Sequence, residues 1–285
     1  MLPSNFDRDG YVVLQDALPP RHLRTLRRAL AAVARHACQS SSTADDHNSV
    51  LPPEDTAAFQ FEHNSDGSVR TPMRVHKVQG VGLVCPDVQQ AIRSQAILST
   101  AAALASEERL DAFGTKYFPV EPGSAGSVGW HDDNYYFGTT RSRTISCVCY
   151  LADTRRANGC LRIVPGSHRD ARVGPERAPL YSHDAQRHGE YISEATMRTL
   201  VGDDREAPAP KRRKAPREAV DVEVPAGSAV LFDANLLHAT HSNRSANEAS
   251  PRLAFHFIPA DHAGEFRGVS FARGKFRDRH PTATC

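Results

Sequence analysis

Short β-strand patterns separated by turns fill residues 113–260, and this region limits the possible folds more than any other part of the sequence. An Asn158-Gly159 pair is a strong turn signal at the start of one of these segments. Many short strands with turn signals favour a β-sandwich or jelly roll. The predicted strands are residues 115–120, 129–137, 144–151, 160–164, 221–224, 229–232 and 252–258.

The first 112 residues have a different pattern. Residues 6–14 are predicted to be an entry strand with a turn at Asp9-Gly10, and residues 39–56 form a loop rich in Ser, Asp and Pro. Pro19-Pro20 opens a predicted helix that continues to about Cys38, because apolar residues recur there at helical spacing. A strand is expected at 73–78 and a helix at 87–110.

Composition is compatible with one globular enzyme domain. The chain has 285 residues, of which 40% are hydrophobic and 24% charged, and its net charge of +2 gives no reason to expect nucleic acid or membrane partners. No apolar run is long enough for a membrane helix, and we expect a cytoplasmic monomer or homodimer. The six cysteines have no disulfide spacing, and Cys147 and Cys149 are expected to be buried thiols rather than metal ligands.

His131 and Asp133 carry the first chemical signal. In a strand, side chains two residues apart point to the same face, so this imidazole and this carboxylate would both face inward. A second imidazole from a later strand would complete the 2-His-1-carboxylate set that suits Fe(II) oxygenases. Both His238 and His241 are candidates for it.

Several motifs, in the same order along the chain, resemble those of the phytanoyl-CoA dioxygenase-like family of Fe(II)/2-oxoglutarate oxygenases. The resemblance implies a double-stranded β-helix of the cupin type with outer helices, and a need for Fe(II), 2-oxoglutarate and O2. The motifs are Phe6-Asp7-Arg8-Asp9-Gly10-Tyr11, Gly129-Trp130-His131-Asp132-Asp133, Asn158-Gly159-Cys160-Leu161, Pro165-Gly166-Ser167-His168, His238-Ala239-Thr240 and Arg252-Leu253-Ala254.

The same resemblance assigns the metal ligands and the cosubstrate anchor. His131, Asp133 and His238 would bind the metal; His238 is favoured over His241 because the family has Asn five residues after the ligand, as at Asn243. Arg252 would bind the far carboxylate of 2-oxoglutarate.

Two further residues bear on the cosubstrate anchor. Thr240 stands where the family often has a hydroxyl that contacts the far carboxylate of 2-oxoglutarate. Arg244 is the rival of Arg252, although its turn-like surroundings favour exposure to solvent.

Strand alternation suggests further pocket residues. Tyr135 and Phe137 would face the same cavity as Asp133 if the strand continued, and would contact substrate. Polar contacts to substrate or 2-oxoglutarate are expected from Lys116 or Tyr117 and from Arg74 or His76, with packing or surface roles as the alternative for each.

Residues 170–219 interrupt the strand pattern with charge and proline. We expect an insertion or lid within one domain, consisting of residues 1–112, a β-helix core at 113–260 and an extension at 261–285. Part of this insertion, 180–192 rather than Lys211-Arg212-Arg213-Lys214, is predicted to close over substrate. The basic run is most simply a solvated loop, with a nuclear address or anion patch as the alternative.

The sequence thus favours an oxygenase that hydroxylates a small organic metabolite, with formation of succinate and carbon dioxide. One alternative is a cupin-like binding protein without oxygenase activity. Another is a halogenase, which the carboxylate at Asp133 disfavours, and a zinc hydrolase has no support from the motifs around the histidines.

Overall fold

The structure is a computed structural model. It describes residues 5–40, 57–64, 66–124, 127–139, 143–170, 173–184, 189–201, 217–262 and 278–282. The first two residues of the loop expected at 39–56 belong to a helix, and the rest of that loop and the Lys211–Lys214 run lie outside the described residues. No helix in the described ranges is long and apolar enough to cross a membrane.

Seven α-helices and thirteen strands are described. The helices are α1 (Phe6–Asp9), α2 (Pro20–Ser40), α3 (Val81–Val84), α4 (Asp87–Ile92), α5 (Gln95–Ala105), α6 (Asp133–Phe137) and α7 (Glu194–Val201). The strands are β1 (Tyr11–Leu14), β2 (Ala58–Phe61), β3 (Val75–Gln79), β4 (Leu110–Phe118), β5 (Ile145–Tyr150), β6 (Leu161–Ile163), β7 (Tyr181–Asp184), β8 (Gly189–Ile192), β9 (Val220–Val222), β10 (Ala229–Asp233), β11 (His238–Thr240), β12 (Arg252–Pro259) and β13 (Arg279–Pro281).

Two antiparallel sheets form the jelly roll predicted from the sequence. The larger has the order β1-β10-β5-β12-β4-β3-β2, with β13 also paired to β4, and the smaller has the order β11-β6-β9. Side chains of both sheets meet in one core cluster, which includes Tyr150 and Phe232 from the larger sheet and Leu161 and Ile163 from the smaller. The site described below lies at this interior.

Helices cover the outer face of the larger sheet. In β5, Cys147 and Cys149 belong to the cluster that includes Leu30 of α2 and Leu104 of α5, whereas Val148 and Tyr150 point into the jelly roll. Both faces of this strand are therefore buried, which explains why all of its residues except Ser146 are apolar. The two cysteines are free and buried, as expected.

The N-terminal half differs from expectation in its boundaries. Residues 6–14 are not one strand: α1 ends at Asp9, and Gly10, with a positive φ of 84°, stops the helix before β1. The helix predicted at 87–110 is two helices, α4 and α5, that break at Ser94. Strand β4 begins at Leu110 rather than at 113 or 115.

The strand predicted at 129–137 is wrong over its second half. Asp132 caps α6, because its side chain accepts a hydrogen bond from the backbone N–H of Tyr135, and Gly138 ends the helix in the left-handed region. Trp130 and His131 make only isolated bridges, with Ile192 and His238. The same-face argument for His131 and Asp133 therefore fails, although the two side chains still meet.

The insertion expected at 170–219 contains regular structure in its described parts. A 3-10 segment (Gly174–Leu180) leads into a two-stranded hairpin of β7 and β8, and α7 follows. Ile192 in this hairpin bridges Trp130, so the insertion packs directly on the chain segment that carries His131 and Asp133.

Candidate metal centre and cosubstrate pocket

His131, Asp133 and His238 lie together at the end of the smaller sheet. The backbones of the two histidines exchange hydrogen bonds, with N···O distances of 3.0 and 2.9 Å. One donor atom from each of the three side chains lies within 4.8 Å of the other two. His131 Nε2 is 3.6 Å from Asp133 Oδ1, and His238 Nε2 is 3.8 Å from Asp133 Oδ2.

Backbone carbonyls fix the orientation of both imidazoles. His131 Nδ1 lies 2.8 Å from the carbonyl oxygen of Gly129, and His238 Nδ1 lies 2.9 Å from that of Leu236. Since a carbonyl only accepts, each Nδ1 carries the proton and each Nε2 offers its lone pair towards Asp133. Second-shell bonds of this kind orient histidines that bind metals, so the donor set fits a divalent cation.

The surroundings of His238 and Asp133 keep these two groups in the protonation states that a metal requires. Burial and the neighbouring His131 lower the pKa of His238 to about 4. Burial opposes ionisation of Asp133, but the His256 and His238 rings, His131 and Lys116 hold its pKa well below the usual range. Neutral imidazoles and an ionised carboxylate are the ligand forms for divalent metals.

A chain of hydrogen bonds extends from Asp133 to Lys116. Ser146 Oγ donates to Asp133 Oδ2 at 2.6 Å, and therefore accepts from His256 Nδ1 at 3.0 Å. That leaves His256 Nε2 as an acceptor, 3.1 Å from Lys116 Nζ. Burial and Lys116 hold the pKa of His256 well below its ordinary value, so the ring stays neutral.

Arg252 is a buried cation beside the jelly-roll interior. Only 3% of it is exposed, and its Nη1 donates to the carbonyl of Gly159 at 2.8 Å. Its Nε is buried without a hydrogen-bond partner, and in the described ranges the ionisable groups that act on it are Tyr150 and Cys160 rather than a carboxylate. Since a buried charge is normally paired, this guanidinium fits a ligand carboxylate. Its rival Arg244 is exposed.

The other residues expected at the cosubstrate differ in position. Lys116 is connected to the candidate metal centre through His256. Tyr117 is not, because neighbouring side chains of β4 point to opposite faces of the sheet. Tyr117 packs instead in the core cluster that the larger sheet forms with α2. Thr240 Oγ1 accepts a hydrogen bond from the backbone N–H of Val128 at 2.8 Å. Its hydroxyl proton can still be donated to another group.

Tyr135 and Phe137 do not line one cavity with Asp133, because they lie on a helix rather than a strand. The ring of Tyr135 stacks on Tyr181 at 3.7 Å, and its hydroxyl hydrogen-bonds Glu190. Phe137 is fully buried against Phe113, with a centroid separation of 5.0 Å. The strand argument for substrate contact by Tyr135 and Phe137 is therefore wrong, and the substrate contact itself stays a prediction.

Arg74 immediately precedes β3, and His76 is the second residue of that strand. Arg74 Nη1 donates to the carbonyl of Pro122 at 2.9 Å. His76 is buried and meets the ring of Phe118 edge-on at 6.4 Å. Since Phe118 packs against the interior cluster, His76 is the better placed of the two to face the jelly-roll interior.

His241 belongs to a second group of possible metal donors, with Cys160 and Asp221. Its Nε2 is 2.7 Å from Asp221 Oδ1, and Arg156 approaches Asp221 Oδ2 at 3.4 Å. Burial and the charge of Asp221 raise the pKa of the Cys160 thiol to about 12. Ion pairs therefore account for this group, and His238, not His241, lies beside Asp133.

Two imidazoles and one carboxylate inside a jelly roll form the type of metal site that non-haem oxygenases use. Residues 6–252 match the phytanoyl-CoA dioxygenase (PhyH) family, and the chain belongs to that family. The chain is accordingly a dioxygenase of the class that uses non-haem iron and 2-oxoglutarate.

Named relatives agree with this placement. A phytanoyl-CoA dioxygenase from Arabidopsis thaliana is 22% identical over 273 residues, covering 90% of this chain and 87% of the relative. An ectoine dioxygenase from Nocardia farcinica is 25% identical over 248 residues, covering 84% and 71%. The solved structure of SnoK, a non-heme alpha ketoglutarate dependent carbocyclase from nogalamycin biosynthesis, has a TM-score of 0.62 at 19% identity, covering 90% of this chain and 81% of SnoK.

Sequence reasoning missed the residues that support the ligands. Ser146 lies in an otherwise apolar strand and has no motif, and Arg177, which bonds the Asp132 carboxylate next to Asp133, lies in the insertion expected at 170–219. One signal was available for Asp132: an Asp followed five residues later by a Phe-Gly end is a helix cap pattern.

Proposed function

We propose that this protein is an Fe(II)/2-oxoglutarate-dependent dioxygenase that oxidises a small organic molecule, most simply by hydroxylation, with formation of succinate and carbon dioxide. The observation that carries the proposal is the pairing of two features. Two Nδ1-protonated imidazoles face one buried carboxylate, and a buried arginine without a described carboxylate partner lies beside the same interior. Packing alone explains neither the cluster of imidazoles around a buried carboxylate nor the buried guanidinium, because both place polar or charged groups in the interior.

Each residue has a defined part in this reaction. His131, Asp133 and His238 would hold Fe(II), and Ser146 would keep Oδ2 of Asp133 in place. Arg252 would bind the far carboxylate of 2-oxoglutarate, which orients the cosubstrate. When bound, iron and 2-oxoglutarate supply oxygen activation for attack on a C–H bond, while the surrounding aromatic and apolar side chains exclude water.

Tyr136 and Tyr191 are the side chains we place nearest the substrate. Their rings meet His131 edge-on, at centroid separations of 5.7 and 5.6 Å, and both are partly exposed. Relatives of this chain are named for phytanoyl-CoA and ectoine, which are chemically unrelated, so the relatives support a small-molecule substrate without selecting one.

Succinate formation tests the proposal without knowledge of the substrate. Purified protein, loaded anaerobically with Fe(II), is exposed to O2 and 2-oxoglutarate, and succinate is quantified with and without pools of candidate metabolites. We expect slow succinate formation that needs both iron and O2, and that vanishes in Asp133→Ala. Asp221→Ala, which removes a carboxylate of the second group, is the matched control and should retain it. Equal turnover in Asp133→Ala would refute the assignment, and iron binding without succinate would favour a binding protein.

A further inference from the structure

The insertion contacts almost every residue of the segment that carries two of the candidate ligands. Ile192 pairs with Trp130 through a backbone hydrogen bond of 2.7 Å, and the ring of Tyr191 lies edge-on to His131. Glu190 accepts hydrogen bonds from the hydroxyls of Tyr135, through its carboxylate, and Tyr136, through its carbonyl. These contacts build a fixed wall against the candidate metal centre.

Asp132, between His131 and Asp133, is held from both sides by the insertion. It is 0% exposed. Its Oδ2 accepts from Arg177 Nη1 at 3.1 Å and from the Tyr181 hydroxyl at 3.0 Å, and its backbone N–H donates to the same hydroxyl at 2.9 Å. Its Oδ1 caps α6 at Tyr135 N. The first residue of α6 is Asp133, so the orientation of this candidate ligand depends on the bonds made by Asp132.

Arg177 joins this segment to the one that carries His238. The side chain is buried, with 2% of the residue exposed. Besides Asp132, its Nη1 donates to the carbonyl of Asn235 at 3.0 Å, three residues before His238, and its Nη2 donates to the carbonyl of Ser167 at 2.8 Å. The planar fork of arginine can satisfy these acceptors together, whereas an ammonium group cannot match the geometry.

Several bonds thus connect the ligand segments at different points. The backbone bridge between His131 and His238 fixes the histidines relative to each other. Asp133 lies beyond that bridge, where the chain turns into α6, and Arg177 spans the gap there between Asp132 and Asn235. Asn134 adds a direct link on the other side of Asp133, because its backbone N–H donates to the carbonyl of Ala234 at 2.9 Å and its side chain donates to Asn235 Oδ1 at 2.8 Å. Arg177 therefore shares the joining of the two segments with Asn134, and it is the link made through Asp132.

We propose that Arg177, assisted by Tyr181, is a positioning residue for the metal centre: it fixes the Asp133 carboxylate relative to the two histidines. The insertion is then part of the metal site rather than a cover that closes over it. This inference rests on the proposed function, because it takes His131, Asp133 and His238 as the ligands. Arg177 would act through Asp132 and the backbone of Asn235, so it is a positioning residue rather than a catalytic one.

Mn(II) binding by the full-length chain tests this inference separately from catalysis. Free Mn(II) is followed by electron paramagnetic resonance under argon, and the dissociation constant is measured for each variant at a temperature where urea titration finds it folded. Arg177→Ala and Arg177→Lys should bind Mn(II) about 10- to 100-fold more weakly, the range for loss of an outer-shell partner of a metal ligand. Arg177→Lys keeps the charge beside Asp132 and so guards against loss of folding.

Two further variants complete the design. Tyr181→Phe removes only the hydroxyl that bonds Asp132 and keeps the ring stacked on Tyr135, so it should weaken Mn(II) binding while folding is retained. Arg217→Ala is the matched control, because Arg217 pairs with Asp170 at 2.5 Å near the same arginine without touching Asp132. A merely structural role would lower the free energy of unfolding and leave the dissociation constant of the folded protein unchanged.

The outcomes separate cleanly. A loss of Mn(II) affinity in folded Arg177→Lys or folded Tyr181→Phe, with Arg217→Ala unchanged, supports the positioning role. Wild-type affinity in both folded variants overturns it. Failure of the wild-type chain to bind Mn(II) would instead refute the proposed function on which this inference rests.

Discussion

Removal of the Arg252 side chain should weaken the use of 2-oxoglutarate more than any other single substitution outside the three candidate ligands. Arg252 is 3% exposed, and its contacts with the carbonyl of Gly159 and the hydroxyl of Tyr150 leave several of its N–H groups for a ligand. Truncation of one partner of a buried charge pair costs about 2–4 kcal/mol. The KM for 2-oxoglutarate should therefore rise by about 30-fold or more.

Succinate formation at varied 2-oxoglutarate concentration measures this effect. Arg252→Met keeps much of the apolar stem and is preferred to Arg252→Ala, which leaves a cavity beside Tyr150. Arg244→Ala removes the exposed rival and should leave the KM unchanged. Circular dichroism and urea titration establish that each variant is folded.

A cosubstrate that lacks the far carboxylate sharpens the test. If Arg252 binds that carboxylate, wild-type protein should prefer 2-oxoglutarate strongly over 2-oxovalerate, and Arg252→Met should lose most of this preference. A variant that retains the preference, or an Arg244→Ala variant that loses it, would refute the assignment.

Three other predictions follow from the site. Ser146→Ala removes the 2.6 Å hydrogen bond to Asp133 Oδ2 and should weaken Mn(II) binding by about 10-fold. An unchanged dissociation constant would show that other groups hold this oxygen. Gly129→Ala would bring a methyl group to 2.7 Å from the Tyr191 ring, and should lower the free energy of unfolding in urea by about 1–3 kcal/mol; an unaltered midpoint would contradict the packing. In metal-free protein the pKa of His238 is about 4, below that of a histidine in the unfolded chain. Because the unfolded chain therefore binds one more proton, the free energy of unfolding should fall by on the order of 3 kcal/mol as the pH drops from about 6.5 to 4. Urea titrations in chelator across this range should give a shallower slope for His238→Gln, and a flat wild-type profile would exclude the shift.

The jelly-roll strands could be predicted because their residues are buried on both faces. Residues 144–151 and 252–258 are almost wholly apolar and β-branched or aromatic, and β5 and β12 lie within a residue or so of those limits. Such a run is too short for a typical helix and is bounded by turn signals, so local sequence decides its structure. The pairing order of the strands depends on contacts between distant residues, and here the family resemblance supplied what periodicity could not.

The candidate ligands could be named from sequence although the geometric reason was wrong. His131 and Asp133 were expected to share a strand face, whereas Asp132 caps a helix and turns the chain so that Asp133 approaches the histidines from the helix start. The family motif records which residues meet, not the backbone path by which they meet. The error mattered for Tyr135 and Phe137, whose expected positions depended on a strand that does not exist.

The insertion could not be predicted because its role depends on partners far away in sequence. In the sequence, Arg177 is one charged residue in a segment rich in proline. In the structure, its guanidinium donates hydrogen bonds to Asp132 and Asn235, which are 45 and 58 residues away along the chain. A buried arginine with three backbone or carboxylate acceptors loses conformational freedom that only fixed surroundings can offset. The 3-10 segment that carries Arg177 must therefore be ordered whenever the metal site is. Tyr181 of the adjoining hairpin bonds the same Asp132, so replacement of residues 180–192 should weaken metal binding, contrary to what a separate lid would give.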